Sequence, residues 1–200
     1  MSKIDQNKQI KRESLLETAF RFFTSKGIQK TSISEIVEDA GVAKGTFYLY
    51  FKDKYDIQNK LIAHKSSEVF QRADRALQAT DLTELEERVI FMIDNIIDQL
   101  AIDKLLLKFI SKNLSWGVFK NVLIESGGDS GVDFYDIYHS VFGDAGRFEN
   151  PEMMVFMIIE LVGSTCYSAI LYSEPVGIDE LKPYLFRTVR SIMAMHRITG

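Results

Sequence analysis

Residues 32–51 read SISEIVEDAGVAKGTFYLYF, and this stretch decides the fold of the chain's first part. Ser32 followed by Glu35 is a capping box, in which each side chain satisfies the other residue's backbone N–H. It opens a short helix through Ala40, with Ile33, Ile36 and Val37 turned inward. Gly41 supplies the positive φ that lets the chain reverse within three residues. A second short helix, about Lys44 to Phe51, follows at once. Ala40, Val42, Phe47 and Phe51 are spaced to pack the crossing. Two short helices held at a fixed angle around a glycine turn are a helix-turn-helix, whose second helix enters the DNA major groove.

The outward residues suit that role. Lys44, Gly45, Thr46 and Tyr48 fall at the start of the second helix and on its free face. Gly45 leaves room for close backbone approach, Lys44 can reach a guanine edge, and Thr46 can touch a thymine methyl or a phosphate. Tyr48, Tyr50, Lys52 and Lys54 suit phosphate oxygens, which fix register without reading sequence. Thr31 and Ser32, at the mouth of the first helix, complete the expected DNA-facing set. Arg12 and Lys30 are weaker candidates, since charge before a helix is usually only solvated.

The helix before this motif, Glu13 to Lys26, carries a broad apolar stripe at 15, 16, 19, 20, 22 and 23 and stops at Gly27. The whole run from Leu16 to Ile57 resembles the DNA-binding domain of TetR-family transcriptional repressors. The residues carrying the likeness are Ala19, Phe23, Gly27, Thr31, Ile36, Ala40-Gly41-Val42, Lys44-Gly45-Thr46-Phe47-Tyr48, Tyr50-Phe51-Lys52 and Lys54. The resemblance implies a homodimer, each subunit with a three-helix head, a connecting fourth helix and a helical regulatory domain. Two departures stand out. Ala43 occupies a place where the family often has a capping serine, which removes it from the contact list, and Tyr55 replaces a common glutamate.

Charge divides along the same line. The chain has 200 residues and a net charge of −4, but residues 1–60 hold 11 Lys/Arg against 8 Asp/Glu while the remainder is acidic. A basic head on an acidic body fits a head that meets phosphate. The expected division is residues 1–55 for the DNA-binding domain and 56–200 for a helical regulatory and dimerisation domain. Helical periodicity continues through 54–79, a helix capped by Thr83 and Glu86 and running to about Leu100, then 103–115, 117–126, 131–142, 151–173 and 178–197. No alternating run is bounded by hairpin turns, so the fold class is all-α.

Other chemistry finds little support. Cys166 is the only cysteine, so no intramolecular disulfide or cysteine-based zinc site is expected. Its apolar helix and lack of a nearby basic partner suit an inert thiol. His64, His139 and His196 never stand at a helical metal spacing, no cofactor loop appears, and no enzyme constellation is present. The polar start, Met1 to Ser14, is no signal peptide, which makes the cytoplasm the expected compartment.

Met153 to Tyr172 is about as long as a bilayer requires, yet it contains Glu160 near its middle and has no basic flanks. It reads as a doubly buried core or interface helix, not as a membrane span. The helices 151–173 and 178–197 are apolar over more than one face, which points to a homodimer through them. An unknown small-molecule effector is expected in the body, contacting some of Phe109, Trp116, Phe119, Glu160 and Tyr167 among apolar surroundings. Its acidity leans toward a cationic or neutral lipophilic compound. The competing reading is a helical small-molecule-binding protein whose head no longer reads DNA.

Overall fold

The computed structural model describes residues 3–113 and 148–198. Eight helices occur among them: α1 Lys3–Ser25, α2 Ile33–Asp39, α3 Lys44–Tyr50, α4 Lys54–Gln78, α5 Leu85–Ile102, α6 Lys104–Asn113, α7 Pro151–Tyr172 and α8 Ile178–His196. The described residues form no strand, only an isolated bridge between Phe148 and Arg197. The expected helices 117–126 and 131–142 lie outside the described residues. The chain divides into two compact units, Met1–His64 and Lys65–Gly200, with α4 contributing to both.

In the first unit, Leu15, Leu16 and Ala19 of α1 meet Ile36 of α2, Phe47 of α3, Phe51 and the α4 residues Ile57 and Leu61, all essentially without exposure. The two turns that make this packing possible are glycine turns, Gly27 with φ +83° and Gly41 with φ +67°. Side chains any larger than hydrogen are disfavoured there. The capping box forms as read: the Ser32 hydroxyl accepts from the Glu35 N–H, and the Glu35 carboxylate accepts from the Ser32 N–H. Polar groups then lock α1 to α2. Ser14 Oγ donates to the Ala40 carbonyl at 3.1 Å, Thr18 Oγ1 to Asp39 at 3.3 Å, and Arg21 pairs with the same Asp39.

The helix α1 begins at Lys3, ten residues before the start at Glu13 expected from its apolar stripe. Its first turns are solvent-exposed and rich in Lys and Gln, good helix formers, so the helix extends outward without a core to pack on.

In the second unit one apolar cluster joins Ala73 and Leu77 of α4, Val89 to Ile97 of α5, Leu107 of α6, Met154 to Ile170 of α7 and Leu185 to Met193 of α8. The capping box expected at Thr83 and Glu86 is not formed. The N-cap is Glu84 with no side-chain cap bond, and Glu86 instead pairs with Arg197 at 2.8 Å. A charged partner across the unit outcompetes the local turn. Lys182 of α8 similarly sits between Asp94 and Asp98 of α5, 2.6 Å from Asp94. Burial alone lowers the Lys182 ammonium's pKa, but its two carboxylate bonds outweigh that and raise it.

By length and composition α7 could cross a membrane, with a mean hydropathy of 1.8 in its most apolar window. Here it packs on α5, α6 and α8 through Met154, Val155, Ile158, Cys166, Ala169 and Ile170. Its other face is open: Met153, Glu160, Gly163 and Ser164 are exposed. The expectation of a buried Glu160 is therefore corrected for the single chain, where a carboxylate without a buried partner stays in water.

Candidate nucleic-acid interface

The shortness of α3 makes its orientation simple to state. Phe47 is fully buried and packs edge-on against Tyr48 at 5.4 Å and at a tilt against Phe51 at 5.4 Å. With these two phenylalanines inward, the 3.6-residue period turns Lys44, Gly45, Tyr48 and Leu49 toward solvent. All four are exposed, and Thr46 and Tyr50 are half-buried on the flanks. The helix starts from Ala43 with no side-chain cap, as its sequence requires.

A groove of about 630 Å³ runs along this edge, lined by Lys30, Ser32, Ser34, Lys44, Tyr48 and Lys54 among others. Three lysines, Lys30, Lys44 and Lys54, line it. Lys30, Lys44 and Lys52 are exposed and their side chains have no ion pair among the described residues. Such uncompensated cations leave a local positive potential, which attracts anions.

Two expected DNA-facing residues are occupied elsewhere. Thr31 is 2% exposed, and its hydroxyl donates to the Gly27 carbonyl at 2.9 Å, so it closes the α1–α2 turn. Its hydroxyl is thus committed to the turn, although Thr31 also lines the groove. Lys54 donates to the Ile28 carbonyl at 3.1 Å and lies over the Tyr55 ring, which ties α4 to the same turn while its flank still lines the groove. Lys60, by contrast, is committed to Asp56 and to the Tyr50 carbonyl at 3.0 Å.

Ser32 is exposed, but its hydroxyl already serves the capping box. The Glu35 carboxylate that reciprocates is also paired with Lys26 at 2.6 Å. The Lys26 bond, then the Ser32 backbone and side-chain bonds, pull the Glu35 pKa from 4.5 to about 2.

Sequence reading passed over Leu49. It is 79% exposed, the most exposed large apolar side chain of the first unit. The signal was available: Leu49 stands about 200° round the helix from buried Phe47. Ser34 was also missed, and it lines the groove one residue beyond Ile33.

The residues expected to hold an effector are not gathered into one site. Phe109 is a buried core residue of α6, and Tyr167 is half-buried on α7, its ring 6.1 Å from Tyr172. The bond with Tyr172, then burial, raises the Tyr167 pKa. Glu160 is on the open face of α7, and Trp116 and Phe119 lie outside the described residues.

Comparison with known proteins bears on the first unit above all. Residues 15–60 match the family model for bacterial regulatory proteins of the tetR family. The HTH-type transcriptional regulator AcrR of Shigella flexneri is 39% identical over 59 residues, a stretch covering 30% of this chain and 27% of that protein. The curated relatives are thus matched over only a fraction of their length. Across the full fold, a TetR family transcription regulator from Marinobacter aquaeolei VT8 superposes with a TM-score of 0.62 at 16% identity, covering 94% of this chain and 97% of the other. The transcriptional regulator FadR from Bacillus subtilis, solved in complex with stearoyl-CoA, superposes with a TM-score of 0.62 at 18% identity, covering 88% and 96%. At such identities the likeness establishes the fold, a helix-turn-helix head followed by a helical domain. Residues 15–60 thus carry the sequence of a tetR-family DNA-binding head, and the chain as a whole has the fold of regulators of that family.

Proposed function

We propose that the protein is a homodimeric, ligand-responsive transcriptional repressor acting in the cytoplasm on a near-palindromic DNA operator. Residues 1–55 would serve as the DNA-binding domain and residues 56–200 as the regulatory and dimerisation domain. One observation carries the reading. The outward residues Lys44, Gly45, Tyr48 and Lys52 are exposed, and the side chains of Lys44 and Lys52 have no ion pair among the described residues. Lys44 at the start of α3 reaches a guanine edge or a phosphate, while Tyr48 and Lys52 grip phosphates and set register. Ser32, Thr46, Tyr50 and Lys54 border the same surface. A two-fold dimer would set two such helices one DNA turn apart, roughly 34–36 Å.

The dimer would form through α7 and α8. Met153 and Tyr172 on α7 and Tyr184 and Met195 on α8 are exposed apolar side chains. A methyl on Gly163 would meet nothing within 4 Å among the described residues. Its place on the open face of α7 suits close approach of a second copy. The effector would enter the body, with Phe109 and Tyr167 as described candidates and Trp116, Phe119 and Glu160 as further ones. A neighbour of this fold holding stearoyl-CoA supports a small-molecule role for the helical domain. Between Lys54 and Gln78 no Gly or Pro interrupts α4, so a shift of the body would be carried toward the head.

The test is selection from a random duplex library followed by binding measurements across a salt series. Each neutralised phosphate contributes about −0.9 to the log–log salt slope. Failure to enrich any duplex, or an affinity indifferent to salt, overturns the reading.

A further inference from the structure

Leu49 has no role in holding the fold. It is 79% exposed, while the residues that pack α3, Phe47 and Phe51, are 0% and 1% exposed. A lone exposed leucine is ordinary on a protein surface. This one sits on the most outward line of a seven-residue helix, four residues after Gly45. Residues so spaced lie one above the other on a helix. A Cβ at Gly45 would meet nothing within 4 Å, so the space over that turn is open. The outward line of α3 is therefore a flat glycine followed by a branched apolar tip, flanked by Lys44 and Tyr48 on one side and by Lys52 beyond.

That arrangement has one chemical complement in a DNA major groove. Base edges there offer hydrogen-bond donors and acceptors, and only thymine adds an apolar group, its C5 methyl. The flanking cations supply the charge complementarity to bring a phosphate backbone against the same face. Thr46 is half-buried and falls on the flank of the helix, so it is the poorer candidate for the outermost contact.

We propose that Leu49 reads a thymine methyl in each operator half-site and so sets part of the sequence preference. The proposal rests on α3 being the DNA-reading helix. Gly45 lets the helix sink far enough for the Leu49 methyls to close on the base, and Lys44 and Lys52 fix the register at which they do so.

The experiment uses the full-length protein and the duplex recovered by library selection. Each thymine of one half-site is replaced in turn by deoxyuridine, which removes the C5 methyl and leaves the pairing edge intact. Affinities of the wild type and of Leu49→Ala are measured on every duplex. One replacement should weaken wild-type binding about three- to five-fold, the worth of one buried methyl. The same replacement should leave Leu49→Ala unaffected, because the contact is already gone. Leu49→Ala should melt like the wild type, since its side chain is in solvent. Equal affinities of the two proteins for the unmodified duplex overturn the assignment, as does a deoxyuridine penalty that persists undiminished in Leu49→Ala. Failure of wild-type protein to bind any duplex is a different result, which removes the DNA-reading function and this inference with it.

Discussion

Gly45→Ala separates what α3 needs in order to fold from what it needs in order to work. Gly45 is the second residue of α3, its φ lies outside the left-handed region, and a methyl added there has open space within 4 Å. Alanine can adopt this backbone without strain, and it restricts the unfolded chain more than glycine does. The gain expected from such a replacement is about 0.5–1 kcal/mol. For a chain of this size that corresponds to roughly 1–4 °C in midpoint, from about 2–4 °C per kcal/mol. In the complex the same methyl stands between the helix backbone and the base edges and holds the whole contact surface back. A tenfold loss of affinity needs only about 1.4 kcal/mol, less than one good base contact, so a loss of at least that size is expected. Calorimetry gives the first quantity and gel shift on the selected duplex the second. The reasoning fails if the variant melts earlier than the wild type, which would mean the space is not open. It also fails if the variant binds DNA with undiminished affinity, which would leave the glycine without a purpose on either count.

Lys44→Ala and Tyr48→Ala should each weaken DNA binding while circular dichroism and dimerisation stay unchanged; a lost base contact costs about 1–3 kcal/mol, and wild-type affinity in both would move the reading surface off α3. Glu35 gives a pH signature: its folded pKa of about 2 lies below the ordinary 4.5, so its contribution to stability is complete above pH 4.5 and disappears as pH falls toward 2. The midpoint difference between wild type and Glu35→Gln should therefore be constant near neutrality and vanish by pH 2, and a difference that persists there would refute the pairing with Lys26 and Ser32. Cys166 is buried, and burial pushes its thiol up to about 11, so iodoacetamide at pH 8 should label native protein far more slowly than denatured protein, as mass spectrometry can follow. Ser66 is 2% exposed and its hydroxyl has no hydrogen-bond partner among the described residues, so Ser66→Ala should raise the melting midpoint by removing a group that costs about 1–3 kcal/mol to bury; a lowered midpoint would show that the hydroxyl is bonded in solution.

The fold of the first unit was legible because its determinants are local. A capping box at Ser32 and Glu35 and glycines at 27 and 41 mark helix ends within a few residues of one another, and the structure has each of them. The start of α1 was not legible from apolar periodicity, because its first turns are exposed and bury no apolar stripe. The Thr83–Glu86 cap failed for the opposite reason. Its sequence signature is sound, but Glu86 finds Arg197, 111 residues away, and no local pattern encodes that partner. Glu160 likewise could not be placed from composition: an apolar helix reveals how much surface it wants to bury, not which face is turned out in one chain.

The interface shows where residue type stops being informative and geometry takes over. Thr31 and Ser32 are neighbours of similar chemistry, yet one is sealed in the α1–α2 turn and the other is exposed. Lys44 and Lys54 both read as DNA ligands, but Lys54 is held against the Ile28 carbonyl, so it steadies the turn that presents the groove while Lys44 remains available to a partner. The same sorting promotes Leu49, which charge-based reasoning ignores because leucine counts as core by default. With Phe47 and Phe51 as the buried residues that seat α3, an exposed apolar residue on the far side of that helix is available to something outside the chain. That is the step by which a seven-residue helix, too short to be stable alone, becomes the most informative surface of the molecule.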